Sequence, residues 1–338
     1  MKRSALGAAL AAAVACAATA WAAEKLPAPD KFLFWSPAEQ ALGYRSIEKI
    51  FPVHVVKRSG PVHALPSSGK PFDVAYDFGG KRWDTGTFMK ENRVSGLLIV
   101  KDGRIVLERY GLGRRASDRW TSFSVAKSVT STLVGAAIHD KYISGLDAKV
   151  TAYIPELKGS AYEGVTVGDL ITMRSGVKWN EDYEDPKSDV NSFSAAPVVA
   201  YMARLKRAHK PGTHFNYNTG ETNLTGILVM RATRQPLADY LSKTVWSKIG
   251  AEQDAAWMVN QSGEELGGCC ISMTLRDYAR FALFFEEGGK GALPDGWTKA
   301  ASSKQTKSDF GGLDYGYFWW VHKDATYEAI GILASRCS

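Results

Sequence analysis

Ser124 and Lys127 stand three residues apart in "WTSFSVAKSVTS", where an apolar, helix-like run begins. A serine hydroxyl is a poor nucleophile until a neighbouring base takes its proton, and a lysine at i+3 shares its helical face. The spacing alone decides nothing, because Ser-x-x-Lys occurs four times: Ser46/Lys49, Ser67/Lys70, Ser124/Lys127 and Ser175/Lys178. Context separates them. Pro52 soon ends any helix begun at Ser46, Ser67 lies in a "PSSGKP" loop, and Ser175 is followed by Gly176. Only Ser124 opens a long apolar helix just after a hairpin. Free backbone N–H groups and the positive end of the helix dipole then sit beside its hydroxyl, a setting suited to an oxyanion. The competing reading is a capping serine with a solvated lysine.

The elements that would position this pair are legible as patterns. "SGLLIVKDGRIVLERYG" holds two apolar-alternating runs around Asp102-Gly103, a hairpin signal. From Phe123 to His139 the pattern is helical, with Val125, Val129, Leu133 and Ile138 at steps of three to five residues. Further helices are expected in "TVGDLITMRSG", capped by Thr166, and in "NLTGILVMRAT", "LADYLSKTVW" and "TLRDYARFALFFEEGG". Aromatic "LDYGYFWWVH" and then "YEAIGIL" read as late strands. Strands at both ends around a helical middle predict an α/β (α+β) fold: an antiparallel sheet built from N- and C-terminal segments, with a helical lobe inserted at about 140–290. Residues 23–94, rich in Pro, Gly and Ser, read as an N-terminal extension wrapped on a main domain at 95–338.

A third candidate lies about ninety residues downstream, where "PGTHFNYNTGETNLTG" places Tyr217 in a polar, Gly-flanked loop before a helix. The ordered set of Ser-x-x-Lys, this tyrosine and a late Gly-bearing strand resembles the serine β-lactamase and penicillin-binding-protein superfamily. "LDAKVTAYIPEL", "VTVGDLITMRSGVKW" and "CCISMTLRDYARF" are similar to its connecting pieces, while "WNEDYEDP" and "YNTGETNL" resemble its branch of 6-aminohexanoate-dimer hydrolases and related esterases. The resemblance covers roughly residues 95–333. It implies Ser124 as nucleophile, Lys127 as its activator and Tyr217 as proton shuttle, with Asn218 beside it. It further implies an oxyanion hole from the backbone N–H groups of Ser124 and Ile332, and Tyr183 as a contact to a substrate amide. Tyrosine has an ordinary pKa of about 10. An adjacent ammonium would lower it, so Lys127 and Tyr217 are expected to titrate as a coupled pair.

The late strand departs from the family. Its Lys-Thr-Gly triplet falls on Ala329, Ile330 and Gly331, so the cation and hydroxyl are gone and the glycine remains. This disfavours a penicillin substrate and favours a small ester or linear amide, with no cofactor. A β-lactamase or penicillin-binding protein acting on peptidoglycan-like substrates, and a catalytically dead binding or sensor module, stay as alternatives. The family fold continues beyond this strand, but only "ILASRCS" follows Gly331, without strand alternation or helical period. The chain reads as C-terminally truncated there. An uncovered sheet edge, marginal stability and low activity are the expectation.

Bulk properties bound the rest. The 338 residues, 45% hydrophobic and 23% charged, suit a soluble globular protein with a sizeable core. "MKRSALGAALAAAVACAATAWAAEK" combines a basic start, an apolar stretch and an Ala20-Trp21-Ala22 cleavage site, which reads as a signal peptide over residues 1–22 and a periplasmic or secreted product. Without it, no membrane span is expected. Removing Lys2 and Arg3 lowers the net charge from +7 to +5. The basic residues show no Lys/Arg block, so nucleic acid is not an expected partner. Oligomeric state is not legible. His214 lacks an evident acid partner and no His-Glu-x-x-His occurs, which disfavours Ser-His-Asp and metal hydrolases. Cys269, Cys270 and Cys337 outlast the leader, an odd number that predicts buried thiols.

Overall fold

The computed structural model describes residues 25–70, 72–193, 197–289 and 291–338. The leader expected at 1–22 lies outside the described residues. Among those described, no helix is long and apolar enough to cross a membrane.

The central element is helix α1 (Val125–His139), buried from Val125 through Ala137. A helix apolar on all sides belongs in a core. Three of its hydroxyls find carbonyl partners: Ser128 Oγ donates to Phe318 O (2.7 Å), Thr130 Oγ1 to Gly267 O (2.7 Å) and Thr132 Oγ1 to Ser128 O (2.8 Å). Gly135 lets the Trp297 indole lie flat on the helix, where a Cβ would meet the ring at 2.5 Å. Two shorter pieces begin as their caps predict. In α2 (Val167–Ile171), Thr166 and Asp169 form a capping box. Next comes α3 (Thr219–Thr233), which packs on α1. Thr274 Oγ1 accepts from Asp277 N–H (3.1 Å) to start α4 (Leu275–Glu286).

Among the described residues the named strands pair antiparallel, and an isolated parallel bridge joins Ser67 to Ile105. β1 (Val53–Val56), β2 (Ala75–Phe78) and β3 (Lys81–Asp84) precede β4 (Gly96–Lys101) and β5 (Arg104–Tyr110). The turn between β4 and β5 has Asp102 at φ 50° and Gly103 at φ 70°, the left-handed pair that the Asp-Gly signal called for. β6 (Trp120–Thr121) leads into Ser124; β7 (Ala255–Met258) and β8 (Ile271–Met273) lie inside the otherwise helical stretch at 140–290. A four-stranded sheet has the order β1-β7-β8-β6, so the N-terminal extension supplies a strand to the body. A second, five-stranded sheet comprises β9 (Thr306–Lys307), β10 (Asp314–Tyr315), β11 (Trp320–Val321), β12 (Tyr327–Gly331) and β13 (Ser335–Cys337), in the order β13-β12-β11-β10-β9.

One expectation is corrected here. "ASRCS" lacked a strand signal, yet Ser335–Cys337 pairs with β12 in the register Ala329↔Cys337, Ile330↔Arg336, Gly331↔Ser335. Leu333 turns the chain with φ 60°, and three residues are too few to display alternation. The strand bearing Gly331 is therefore paired on both sides. Of the three cysteines, Cys337 is free and buried, Cys270 is buried and Cys269 half-buried.

Candidate active site

The bend that presents Ser124 is held by what precedes it. Ser122 exchanges two hydrogen bonds with Ile271 of β8: its N–H donates to Ile271 O (2.9 Å) and its Oγ accepts from Ile271 N–H (3.0 Å). Phe123 then takes φ 47°. A bulky residue in the left-handed region is strained and persists only where packing dictates it. The Phe123 ring is fixed edge-on to Tyr44 (5.0 Å) and stacked with Phe32 (5.5 Å). Ser124 opens α1 with its hydroxyl uncommitted to capping.

Lys127, one turn on, is 1% exposed. Its Nζ lies 2.9 Å from Ser124 Oγ and 2.8 Å from Gly268 O. Burial lowers its pKa to about 8, with the Glu181 carboxylate pulling the other way. Near neutral pH such an amine is neutral for part of the time. It can then give one N–H to Gly268 O while its lone pair takes the Ser124 proton.

Tyr217 precedes α3, whose cap is Asn218: Oδ1 accepts from Glu221 N–H at 2.9 Å. The Tyr217 ring stacks on Trp320 (5.6 Å, 20°), lies edge-on to Tyr315 (6.3 Å), and carries Lys127 Nζ 5.1 Å from its centroid. Its hydroxyl bonds to the Ser124 side chain, but burial, followed by the Glu181 charge, raises its pKa above the ordinary value. This reverses the expected direction, because the amine sits over the ring face while desolvation and a carboxylate act on the phenol. At neutral pH this phenol keeps its proton and can donate it, while the Lys127 amine beside it can accept one.

β12 closes the site. A Cβ on Gly331 would lie 2.7 Å from Ser122 O, 2.9 Å from Phe123 Cβ and 3.1 Å from Ser124 N. Only glycine allows the strand to press so closely on the start of α1. This brings the backbone around Ile332 next to Ser124; the Ile332 side chain is 37% exposed. Ala329 is buried and Ile330 half-buried against the core, so neither offers a charge.

Three residues escaped sequence reasoning. Glu181 gathers Tyr183 OH (2.8 Å) and the Thr219 hydroxyl on Oε1, and Thr219 N–H (3.0 Å) and the Trp179 indole on Oε2. Tyr183, expected to face a substrate amide, therefore directs its hydroxyl at Glu181. Among the acids of "WNEDYEDP", nothing in the sequence marks the one that turns inward. Thr219 gave no signal beyond its place two residues after Tyr217. Trp320 could have been found by strand alternation: Trp319 packs on Phe285 (4.3 Å) in the core and Trp320 on Tyr217. The other serine candidates serve locally. Ser175 Oγ donates to Glu221, and Ser67 Oγ accepts from Gly69 N–H (3.2 Å). His214 is stacked on His209 (4.1 Å).

Residues 85–334 match the family model described as Beta-lactamase. The chain belongs to the β-lactamase family. It is 29% identical over 268 residues to the 6-aminohexanoate-dimer hydrolase of Paenarthrobacter ureafaciens, a match spanning 72% of this chain and 68% of that protein. A Bacillus anthracis structure assigned to the 6-aminohexanoate-dimer hydrolases superposes with TM-score 0.77 at 24% identity, covering 87% of this chain and 84% of the other. EstCE1, described as a hydrolase with promiscuous acyltransferase activity, superposes with TM-score 0.58 at 13% identity over 71% of this chain and 81% of its own. The mixed α/β architecture with antiparallel sheets is that of the β-lactamase fold, and hydrolases are its relatives.

Proposed function

We propose that this β-lactamase family member is a serine hydrolase that acts on small esters or linear amides through an acyl-enzyme on Ser124. The observation that carries the reading is the buried Lys127 amine, 2.9 Å from Ser124 Oγ with a pKa brought down to about 8. Lys127 removes the hydroxyl proton as Ser124 Oγ attacks the carbonyl carbon. The N–H groups of Ser124 and Ile332 receive the oxyanion, a role supported by the close approach of Gly331 to Ser124 N. Tyr217 gives its proton to the departing alkoxide or amine and regains one from the Lys127 ammonium, leaving the acyl group on Oγ. Water then repeats the sequence, releasing the acid and restoring Ser124.

The substrate reading rests on Ala329 and Ile330, which provide no cation for the carboxylate of a β-lactam, a loss of a contact about twice as strong as a neutral one. The named activity of the Paenarthrobacter relative points the same way. We place the protein in the periplasm or outside the cell, from the leader pattern at 1–22; mass spectrometry of the exported form should find Ala23 first. A fluorophosphonate should label the Ser124 peptide, and Ser124→Ala should abolish both the label and short-chain ester turnover. Full turnover by Ser124→Ala, or labelling at Ser46, Ser67 or Ser175, would remove the assignment. Efficient cephalosporin hydrolysis with negligible ester hydrolysis would remove the substrate class.

A further inference from the structure

Gly267 and Gly268 pass buried between α1 and α3, where a side chain has little room. A Cβ on Gly267 would lie 2.6 Å from Thr222 O, and one on Gly268 would lie 3.1 Å from Thr219 O and 3.4 Å from Lys127 Nζ. On the α1 side, Gly268 O accepts from Lys127 Nζ (2.8 Å) and Gly267 O from Thr130 Oγ1 (2.7 Å). On the α3 side, Asn223 Oδ1 accepts from Gly268 N–H (2.9 Å). The residue that lends its carbonyl to the base is thus tied by its own N–H to Asn223.

Helix interiors commit their backbone groups to their own ladder, so a buried N–H facing one must be met by a side chain. Asn223 is 1% exposed, and its oxygen is the atom that an N–H donor requires. Its Nδ2 is left buried without a partner among the described residues, a costly state. What the oxygen holds therefore accounts for this side chain better than a closed polar network does. The acceptor is also neutral. A carboxylate in its place would favour the Lys127 ammonium and keep the base protonated. The neighbouring charged and titratable groups are already placed. Glu181 and Tyr217 bear on Lys127, Glu221 of α3 is turned to Tyr162 and Ser175, and Glu328 of β12 to His322 and Arg336.

We propose that Asn223 is a positioning residue for the Lys127 base: by holding Gly268 N–H it keeps the Gly268 carbonyl on one N–H of the amine, and so turns the lone pair to Ser124 Oγ. This rests on the acyl-enzyme reading of Ser124. A neutral amine carries two N–H bonds and one lone pair, and rotation about Cε–Nζ sweeps all three past the serine. The 2.8 Å bond to Gly268 O stops that rotation with Ser124 Oγ 2.9 Å away. Without Asn223 the Gly268 peptide is free to turn, and its carbonyl leaves Lys127. The amine is then aimed less well. Its ammonium has also lost a charge-assisted acceptor, so it gives up its proton more easily.

The test compares two variants of the full chain that fill the same space. Asn223→Leu removes the acceptor, and Asn223→Asp keeps it but adds a charge. Lys127 is titrated by NMR with lysine enriched in carbon-13 at the ε-carbon, its signal being the one lost in Lys127→Ala. Short-ester turnover is followed over the same pH range. In Asn223→Leu, kcat should fall by up to about 100-fold, the cost of a catalytic group misplaced by about 1 Å, with KM little changed. Its Lys127 titration and the acid limb of kcat/KM should both move to lower pH. In Asn223→Asp both should move to higher pH, and kcat on the alkaline plateau should return toward that of the unaltered protein. A fall in kcat with an unmoved titration in Asn223→Leu, or shifts of the same sign in the two variants, would overturn the proposal. If the Leu variant does not fold, the isosteric Asp variant decides alone, and a Lys127 titration that it leaves unraised would overturn it. The NMR titration reads Lys127 without turnover, so full activity of Ser124→Ala would defeat the Ser124 reading separately.

Discussion

At the scale of single residues, burial and one carboxylate set the protonation states that the chemistry needs. Lys127 titrates near 8 because desolvation outweighs the attraction of Glu181. Only the neutral amine can accept a proton, so kcat/KM for a short ester should rise with pH and level off above about 8. Lys127→Ala should lose about 10²–10⁴-fold, the usual contribution of a general base, and lose this acid limb. Glu181 raises both Lys127 and Tyr217. In Glu181→Gln the acid limb should therefore move to lower pH. An unmoved limb in a pH–rate profile of that variant would show that Glu181 only orients Thr219 and Tyr183. Lys127 was legible because Ser-x-x-Lys is a local spacing. Glu181 was not, because its role depends on which of several neighbouring acids folds inward, and the tyrosine pKa was misjudged because desolvation is a property of the packed site.

At the scale of elements, the site is a meeting of three chain ends: the bend before α1, the loop before α3, and the end of β12. The first was expected from the switch of period at Phe123, and the cap residues Thr166 and Thr274 fall where their side chains close the first turn. The third rests on a single glycine. Gly331→Ala would push a methyl group to 2.7 Å from Ser122 O, a backbone atom tied by its neighbours to β8. Relief requires β12 to retreat from Ser124, at a cost of about 1–3 kcal/mol for overpacking. Ester turnover should fall steeply and the melting temperature modestly. A variant with normal turnover would show that β12 need not lie against the start of α1. Strand pairing was harder to read than strand existence. β1 pairs with β7 across some two hundred residues, and β13 is three residues long, so neither partner is announced by local pattern.

At the scale of the whole molecule, the helical part is bound together by a buried acid that no sequence pattern exposed. Glu221, on α3, accepts from Tyr162 OH (3.2 Å) and from the Ser175 hydroxyl, joining three separate segments. It reads in the sequence as one more polar residue in "YNTGETNL", and its environment exists only once α3 is enclosed. Burial raises its pKa to about 8, against the pull of those two hydrogen bonds. The sign of the linkage follows. Below the unfolded value of about 4.3 the carboxyl is neutral in both states and its full contribution to stability is present. As pH rises, the unfolded chain ionises while the folded one stays protonated, so stability falls until about pH 8, where the folded group ionises as well. At 1.36 kcal/mol per pH unit, the loss by pH 7 is about 4 kcal/mol, a large share of a typical domain's 5–15 kcal/mol. Glu221→Gln has no proton to lose. Between pH 5 and pH 8 its melting temperature should decline less than that of the unaltered protein. Parallel declines in the two proteins would mean that Glu221 is ionised in the folded state, with its charge met by groups other than Ser175 and Tyr162.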